Sequence, residues 1–594
     1  MNSVDEAFAL FDSDDGGAIL LSNYRRAIHF DLSTAHSRNL EQTFKLIEAA
    51  AASGEWVALA VDYALGAYFE PSVASLDTPP PPLRGWVFGG HQHLDATGVA
   101  AFLTRRLEAL SEPQRHAGVA EVRVALDALA YTAKVQRIKQ WIAAGDCYQI
   151  NLTFPLDFKV YGHPLALYSK LRQRQPVRYG AFISVPEETL LSCSPELFFE
   201  RSGDHVVTRP IKGTAPRGAT PTEDAERRCA LLASEKERAE NIMIVDLLRN
   251  DLSRLATPGA VRVESLCEAE AYPTLWQVVS TISAELPGVC LFDLFRALFP
   301  CGSITGAPKI RAMQCLAELE ERPRGLYSGA LGWLAPGGDC RFNVAIRTVQ
   351  FGPNGQARLG IGSGIVIDAD PEREYAECLL KANFLTGFDP GFELIETLRV
   401  ENGECPLLQR HLTRLEASAR ALGFAYAGPT ILAVLQAEFN RTPNGTNRAR
   451  LTLAHDGKFK LVVSPLPEEK RAWQAIFAEE NLDADDYLLR HKTTARSRYD
   501  RALAGLPEGI FDAIFLNTRG EVCEGARSNV FIERDALLLT PPLRCGLLPG
   551  VMRHHLLESG RAVESVLTVN DLRNASKIYL GNALRGLIPV SLRD

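Results

Sequence analysis

The chain predicts a mixed α/β and α+β protein made of two large, unlike units, and three observations carry that expectation. At 594 residues it is too long for a single hydrophobic core. Short apolar strands alternate with helices along most of its length. Near Thr386 to Pro390 the segment FLTGFDPG ends one helix, and FELIETLRVENGECPLLQRHLTRLEASARALGF begins a fresh strand, turn, strand and helix series. The expected units are therefore residues 1–386 and 391–594, and no internal repeat relates them.

Composition narrows the class. Apolar residues make up 46% and charged residues 23%, as in ordinary globular chains. A net charge of −8, from 64 basic and 72 acidic side chains, speaks against a nucleic-acid surface while leaving room for local arginines that bind small anions. The 12 cysteines are scattered without a C-x-x-C pair, which suits reduced thiols better than a disulfide framework or a zinc site. MNSVDEAFALFDSDDGG has no secretory pattern, and no segment reaches the roughly 18 apolar residues of a membrane span, so a cytoplasmic enzyme is expected.

Within the first unit, YTAKVQRIKQWIAAGD (131–146) has the helical period, with Val135, Ile138 and Ile142 on one stripe and Gly145 at its end. CYQINLTFPLDF (147–158), YGAFISV (179–185) and TLLSCSPELFFE (189–200) each read as a strand. One long helix is expected over about 222–252. CGSITGAPKIRAM (301–313) reads as a loop feeding a helix. GIGSGIVIDADP reads as a strand ending in an acidic turn before the helix EREYAECLLKANFLTGF. Pro79 to Pro82 mark a loop inside the unit.

Two helices of this unit carry the same acidic spacing. Glu237 and Glu240 share one helix face and Glu374 and Glu377 another, because i and i+3 project together. Facing each other they would gather hard oxygen ligands suited to Mg²⁺; separately each is an ordinary solvated face. Gly302-Ser303-Ile304-Thr305-Gly306-Ala307-Pro308-Lys309 offers N–H groups and hydroxyls ahead of a helix, and Arg347, Gly362 and Gly364 could complete a carboxylate pocket. Lys212, between Pro210 and Gly213-Thr214, would become a nucleophile if buried beside other cations; otherwise it is a lysine in a strand-end turn.

Seven ordered segments, GDCYQINLT, SCSPELFF, RPIKGTAPRG, SEKERAENIMIVDLLRNDL, GSITGAPK, GIGSGIVIDADP and EREYAEC, resemble the chorismate-utilising enzymes over residues 130–385. The resemblance implies a two-sheet β-sandwich core with surrounding helices, and Mg²⁺ held by Glu237, Glu240, Glu374 and Glu377. It places substrate contacts at Thr214, Gln277, Ser303, Thr305, Gly306, Arg347, Gly362 and Gly364. The lysine in PIKGT is similar to that of aminodeoxychorismate synthases, implying attack of Lys212 on C2 of chorismate as the 4-hydroxyl leaves, before ammonia enters at C4. At Gln277 the family often has a histidine that handles the leaving hydroxyl. A glutamine cannot be a general acid at neutral pH, so another group is expected to protonate the departing oxygen.

The second unit reads as an enzyme for an aromatic phosphate cofactor. Lys492 in HKTTAR could form a Schiff base, and Glu524 in GEVCEGARSNVFI could face a pyridine nitrogen. Arg414 offers a donor fork for phosphate, and Gly550 in LLPGVMR stands at a helix start. HLTRL, HKTTAR, EGARSNVF, LLPGVMR and NALRG together resemble the fold-type IV pyridoxal-phosphate family over about 391–594, with subdomains near 391–495 and 500–594. The resemblance makes Lys492 the catalytic lysine and Glu524 the pyridinium partner. Arg414, Ser528, Asn529, Gly550 and Val551 would hold phosphate or ring, with Asn582 and Arg585 near the substrate.

The fusion links the two expectations. Aminodeoxychorismate, the product expected of the first unit, is the substrate of the lyase within the second family, and loss of pyruvate from it gives 4-aminobenzoate for folate synthesis. Ammonia would come from a separate glutamine amidotransferase subunit, and the pyridoxal-phosphate unit could pair as a homodimer. Two alternatives stand beside this: an anthranilate synthase fused to an aminotransferase, and a non-catalytic scaffold that docks the amidotransferase.

Overall fold

A computed structural model describes residues 6–30, 37–73, 81–272, 275–442, 444–466 and 473–593. Pro79 and Pro80 of the proline-rich stretch lie outside the described residues. The chain forms two compact units, one of Met1–Ser111 with Val122–Phe388 and one of Glu112–Glu121 with Asp389–Asp594. Among the described residues no helix is long and apolar enough to cross a membrane.

In the first unit the strands form one continuous hydrogen-bonded series that folds back on itself. Phe8–Asp12 pairs with Ala18–His29 on one side and Ala181–Ser184 on the other. From the first side the series runs through Leu83–Leu94, Trp56–Val61 and Ala330–Leu334. From the second it runs through Thr189–Ser192, Thr348–Phe351 and Gln356–Ile365 to Gln149–Tyr161. Alternate residues of these strands, among them Phe11, Leu21, Trp86, Ile183 and Leu331, meet in one buried core, the interior of a two-sheet sandwich. Opposite faces of the same strands, such as Val57, Leu59 and Val87, pack with Phe44, Ile244, Leu248 and Phe295 from surrounding helices.

Two elements differ from expectation. The segment 189–200 is two strands, Thr189–Ser192 and Leu197–Ser202, parted at Cys193-Ser194-Pro195-Glu196. Pro195 has no N–H for a ladder, so the chain leaves the sheet there. The long helix is also two, Pro221–Ala233 and Glu235–Ser253. Ser234 stands between them in extended conformation, its side chain accepting from the Glu237 N–H, so one helix stops and a capped one begins.

The second unit has a three-stranded antiparallel sheet, Leu394–Glu401, Thr446–Leu453 and Phe459–Pro465, with the helix Leu408–Leu422 against it. Its larger sheet closes. Val522–Gly525, Ile510–Leu516, Trp473–Phe477, Gly586–Leu592, Ile578–Asn582 and Asn529–Arg534 pair in turn, and the last returns to the first at Glu524↔Asn529. Phe511, Ile514, Val522, Val530, Ile532 and Leu580 pack together in its core. Trp473–Phe477 belongs to this barrel, so the change of sheet comes ahead of residue 473 and not between 495 and 500.

Candidate active sites

Lys212 lies in the strand Ile211–Pro216, which pairs with Leu275–Glu285. The register shifts between Ile211 and Thr214, so Lys212 and Gly213 occupy a bulge that re-aims the lysine out of the ladder. Gly213 has φ of +92°, and a Cβ there would lie 2.8 Å from Glu237 Oε2, which excludes a side chain beside the carboxylate. Burial lowers the Lys212 pKa, with Lys381 adding to the effect and Glu240, Glu196 and Glu237 opposing it. Neighbouring cations, the expected source of this shift, are the smaller part of it; desolvation is the larger, and most of the charged neighbours are carboxylates.

Glu196 is one residue that sequence reasoning missed. Placed by the break at Pro195, it is almost fully buried and accepts a 2.6 Å hydrogen bond from Ser303 Oγ. Burial raises its carboxyl pKa, while Ser303 and the charge of Lys212 act against the rise. A buried, protonatable carboxyl thus sits in the field of a buried lysine, a pairing typical of acid–base sites. The signal was Pro195 inside an apparent strand.

The other expected residues divide by what their side chains do. Arg347, at φ +49°, and Gln277 line a small cleft with Pro195, Tyr272 and Leu275. The Gln277 Oε1 is buried without a partner, and burial lowers the Arg347 pKa. Thr214 pairs in register with Gln277. Ser303 is committed to Glu196, and the Thr305 hydroxyl donates to Cys301 O at 2.8 Å within its own loop. Gly306 lets that loop pass the Gln149 carbonyl, which a Cβ would meet at 2.4 Å. Gly362 and Gly364 lie opposite Thr153 and Asn151, and a Cβ on Gly364 would strike the Gln149 amide at 2.4 Å.

Glu237 and Glu240 lie on Glu235–Ser253, Glu374 and Glu377 on Pro371–Thr386. Burial and then the Glu240 charge raise the Glu237 pKa; burial and the Glu377 charge raise that of Glu374. Glu377 also acts on Glu237, so the two helices share one electrostatic site. Glu240 takes a 3.3 Å bond from Gln149 Nε2, and Glu377 pairs with Lys381 at 2.9 Å. Hard, mutually repelling oxygen donors suit Mg²⁺. Among the described residues, however, no three such groups are drawn together as they would be around an ion.

In the second unit the expected residues line one cavity of about 710 Å³: Lys492, Glu524, Arg414 and Ser528 with Asn529, Gly550, Val551, Asn582 and Arg585. Lys492 is fixed through its backbone, its carbonyl accepting from the Ile395 N–H at 2.8 Å. Burial, then the charges of Arg414 and Arg496, bring its amine down to about 8. Glu524 is buried; Tyr499 Oη donates to Oε1 at 2.7 Å and the Leu548 N–H to Oε2 at 3.0 Å. Burial pushes its carboxyl up to about 7.

Arg414 is held before any ligand arrives. Its Nε and Nη2 grip Glu396 at 2.9 and 2.6 Å, and Nη1 reaches Pro549 O at 3.3 Å. Burial opposes the charge of Glu396, but Arg414 and His411 outweigh it and keep that carboxyl at about 2. Gly550 precedes the helix Val551–Glu558, and a Cβ on it would stand 1.9 Å from Asn529 Oδ1. The resulting recess, beside Arg414 and at a helix start, fits a phosphate group. Asn582 Oδ1 accepts from the Leu584 and Arg585 N–H groups, which holds this part of the cavity lining in place. Arg448 and Arg450, which sequence reasoning passed over, also line the cavity from alternate positions of Thr446–Leu453.

A family model described as chorismate binding enzyme matches residues 26–387. The chain belongs to that family. Residues 393–592 match amino-transferase class IV, so a chorismate-utilising domain is fused to a class IV, pyridoxal-phosphate type domain. The aminodeoxychorismate synthase component 1 of Bacillus subtilis is 42% identical over 253 residues, 42% of this chain and 54% of that protein. An anthranilate synthase component 1 of Haloarcula marismortui is 40% identical over 257 residues, 43% of this chain and 51% of its own length. The chain thus spans about half the length of the curated relatives it matches. Anthranilate synthase component I of Streptococcus pneumoniae shares the fold, with a TM-score of 0.54 and 24% identity over 62% of this chain and 92% of that one.

Proposed function

We propose that the chain converts chorismate and ammonia to 4-amino-4-deoxychorismate and water in its first unit, and 4-amino-4-deoxychorismate to 4-aminobenzoate and pyruvate in its second. The observation that carries this reading is Lys212: an amine with a depressed pKa, beside a buried protonatable carboxyl. Such an amine is placed for covalent attack on a ring carbon, which a reaction without a nucleophile would not need.

In this reading Lys212 bonds to C2 of chorismate while Glu196 gives its proton to the departing 4-hydroxyl. Gln277, which cannot give a proton, is left to hydrogen-bond the ring substituents, and Arg347 to meet a carboxylate. Ammonia then adds at C4 and the bond to Lys212 breaks, so the lysine is regenerated. Glu237, Glu240, Glu374 and Glu377 are the residues to hold Mg²⁺, which would supply positive charge for a substrate carboxylate. Ammonia reaches the site from a glutamine amidotransferase partner or from solution.

In the second unit Arg414, Ser528, Asn529 and Gly550 would hold the phosphate end of the cofactor, and Glu524 would serve its ring nitrogen. Pyridoxal phosphate supplies an electron sink when bound. Lys492 moves the proton from C4 of the substrate, and pyruvate departs as the ring becomes aromatic. Arg448 and Arg450 favour a substrate with two carboxylates, as aminodeoxychorismate has.

Incubation of the protein with chorismate, Mg²⁺, ammonium and pyridoxal phosphate tests the whole, with 4-aminobenzoate and pyruvate the expected products. 2-Aminobenzoate would instead place the first unit with anthranilate synthases, and unconsumed chorismate would favour a scaffold. Glu196→Gln is expected to slow chorismate turnover about 10²–10⁴-fold. A general acid works only while protonated, so the wild-type rate should fall as pH rises through the elevated Glu196 pKa; the variant should lose that alkaline limb. A variant profile with the limb intact would remove Glu196 from the role.

A further inference from the structure

We infer that Tyr499 is a positioning residue for Glu524: its hydroxyl fixes one carboxylate oxygen and keeps the group ionised toward the cavity. The inference rests on reading the second unit as a pyridoxal-phosphate site. Glu524 is surrounded by few groups able to stabilise its charge. Its two oxygens take one hydrogen bond each, from Tyr499 Oη and the Leu548 N–H. The cations facing it are Lys492 and Arg496, and its titratable chain neighbour Cys523 is pushed up in pKa by burial and by the Glu524 charge. Burial alone works toward the neutral acid, and the balance lies near 7. At neutral pH the charge of Glu524 is therefore decided by small contributions, and the Tyr499 bond is the foremost of those that favour it.

Tyr499 is built to hold that position. Its ring meets Phe515 edge-on, with centroids 5.1 Å apart and planes at 72°. The guanidinium groups of Arg496 and Arg498 lie 5.4 and 5.9 Å from the ring centre, and Arg498 is itself paired with Asp486. Burial and the charge of Glu524 push the phenol well above its ordinary value, so it remains a donor throughout the working range. A pyridine ring stays protonated, and thus electron-accepting, only while the carboxylate opposite its nitrogen is an anion. Lys492, Arg496 and Tyr499 all come from one short segment, so the residue that binds the cofactor and the residue that tunes its partner are placed together.

The test uses the full chain and pyridoxal phosphate itself, with the dissociation constant measured by absorbance titration between about pH 6 and 9. Wild-type affinity should weaken as pH falls through about 7, where Glu524 gains its proton. Tyr499→Phe keeps the ring on Phe515 and removes only the donor. It should move the midpoint of that weakening up by about one pH unit and raise the dissociation constant at neutral pH about fivefold. In a Glu524→Gln background the same substitution should change neither. An unchanged midpoint in Tyr499→Phe, or a loss of affinity equal at every pH, would overturn the inference while leaving the cofactor reading intact. Failure of the wild-type chain to bind pyridoxal phosphate would overturn that reading, and the inference with it.

Discussion

Lys492→Ala is expected to end pyruvate release by the second unit, lowering it by on the order of 10²–10⁴-fold or more, while chorismate consumption by the first unit continues. The reason is local to the amine. A lysine in water is almost wholly protonated at neutral pH, whereas burial together with Arg414 and Arg496 brings Lys492 to about 8. That change raises its neutral fraction on the order of a hundredfold, and only the neutral amine can attack a carbonyl carbon or accept a proton. The direction also fixes the pH dependence. The rate at which the protein reacts with pyridoxal phosphate should climb as pH rises through about 8 and level off above it. Stopped-flow absorbance measures this directly, and alanine at 492 should abolish the spectral change while Arg414 and the Gly550 recess retain phosphate-dependent binding. A Lys492→Ala protein that still released pyruvate from aminodeoxychorismate at the wild-type rate would refute the assignment.

The contrast between Lys492 and the residues around it shows what the linear sequence could carry. Lys492, Glu524 and Gly550 each sit in a short segment whose residue types state a chemistry, and all three line the same cavity. Arg448 and Arg450 occupy alternate positions of a strand, which in sequence is indistinguishable from an ordinary solvated face. Only the cavity beneath them gives their charge a use. Tyr499, three residues beyond the HKTTAR segment, carries no meaning in sequence until its hydroxyl meets Glu524, 25 residues away. The fold follows the same division. Alternation and helical period located the strands at 147–158 and 179–185 and the helix at 131–146, because burial on one face leaves that trace. The break at Ser234 was missed, although Ser234 and Glu237 have the serine-then-glutamate spacing of a helix start. The pairing of Trp473–Phe477 with Gly586–Leu592 inside the barrel was not legible, because no local pattern records a pairing between strands so far apart in the chain.

Lys212→Ala should reduce chorismate turnover with ammonium by at least about a thousandfold, because a residue that bonds to the substrate is not replaced by its neighbours. Two features of the site make this more than the loss of a positive charge. The Lys212 amine is pushed down by burial, and the Glu196 carboxyl is pushed up by burial. The two pKa values move toward each other, which raises the share of the productive form, neutral lysine with protonated glutamic acid, above what two unshifted groups would give. Activity should fall on the acid side as Lys212 gains a proton and on the alkaline side as Glu196 loses one. The apparent values of that bell belong to the coupled pair. Lys212→Arg keeps a charge but cannot release its proton, so it should be as slow as alanine if the amine is a nucleophile. Were the lysine only an anchor for a substrate carboxylate, arginine would restore much of the rate and the defect would appear in KM. The aromatic product sharpens the result further: variants that still made 2-aminobenzoate at an undiminished rate would show that ammonia enters the ring without a lysine, and the first unit would have to be read as an anthranilate-forming site in which Lys212 is incidental.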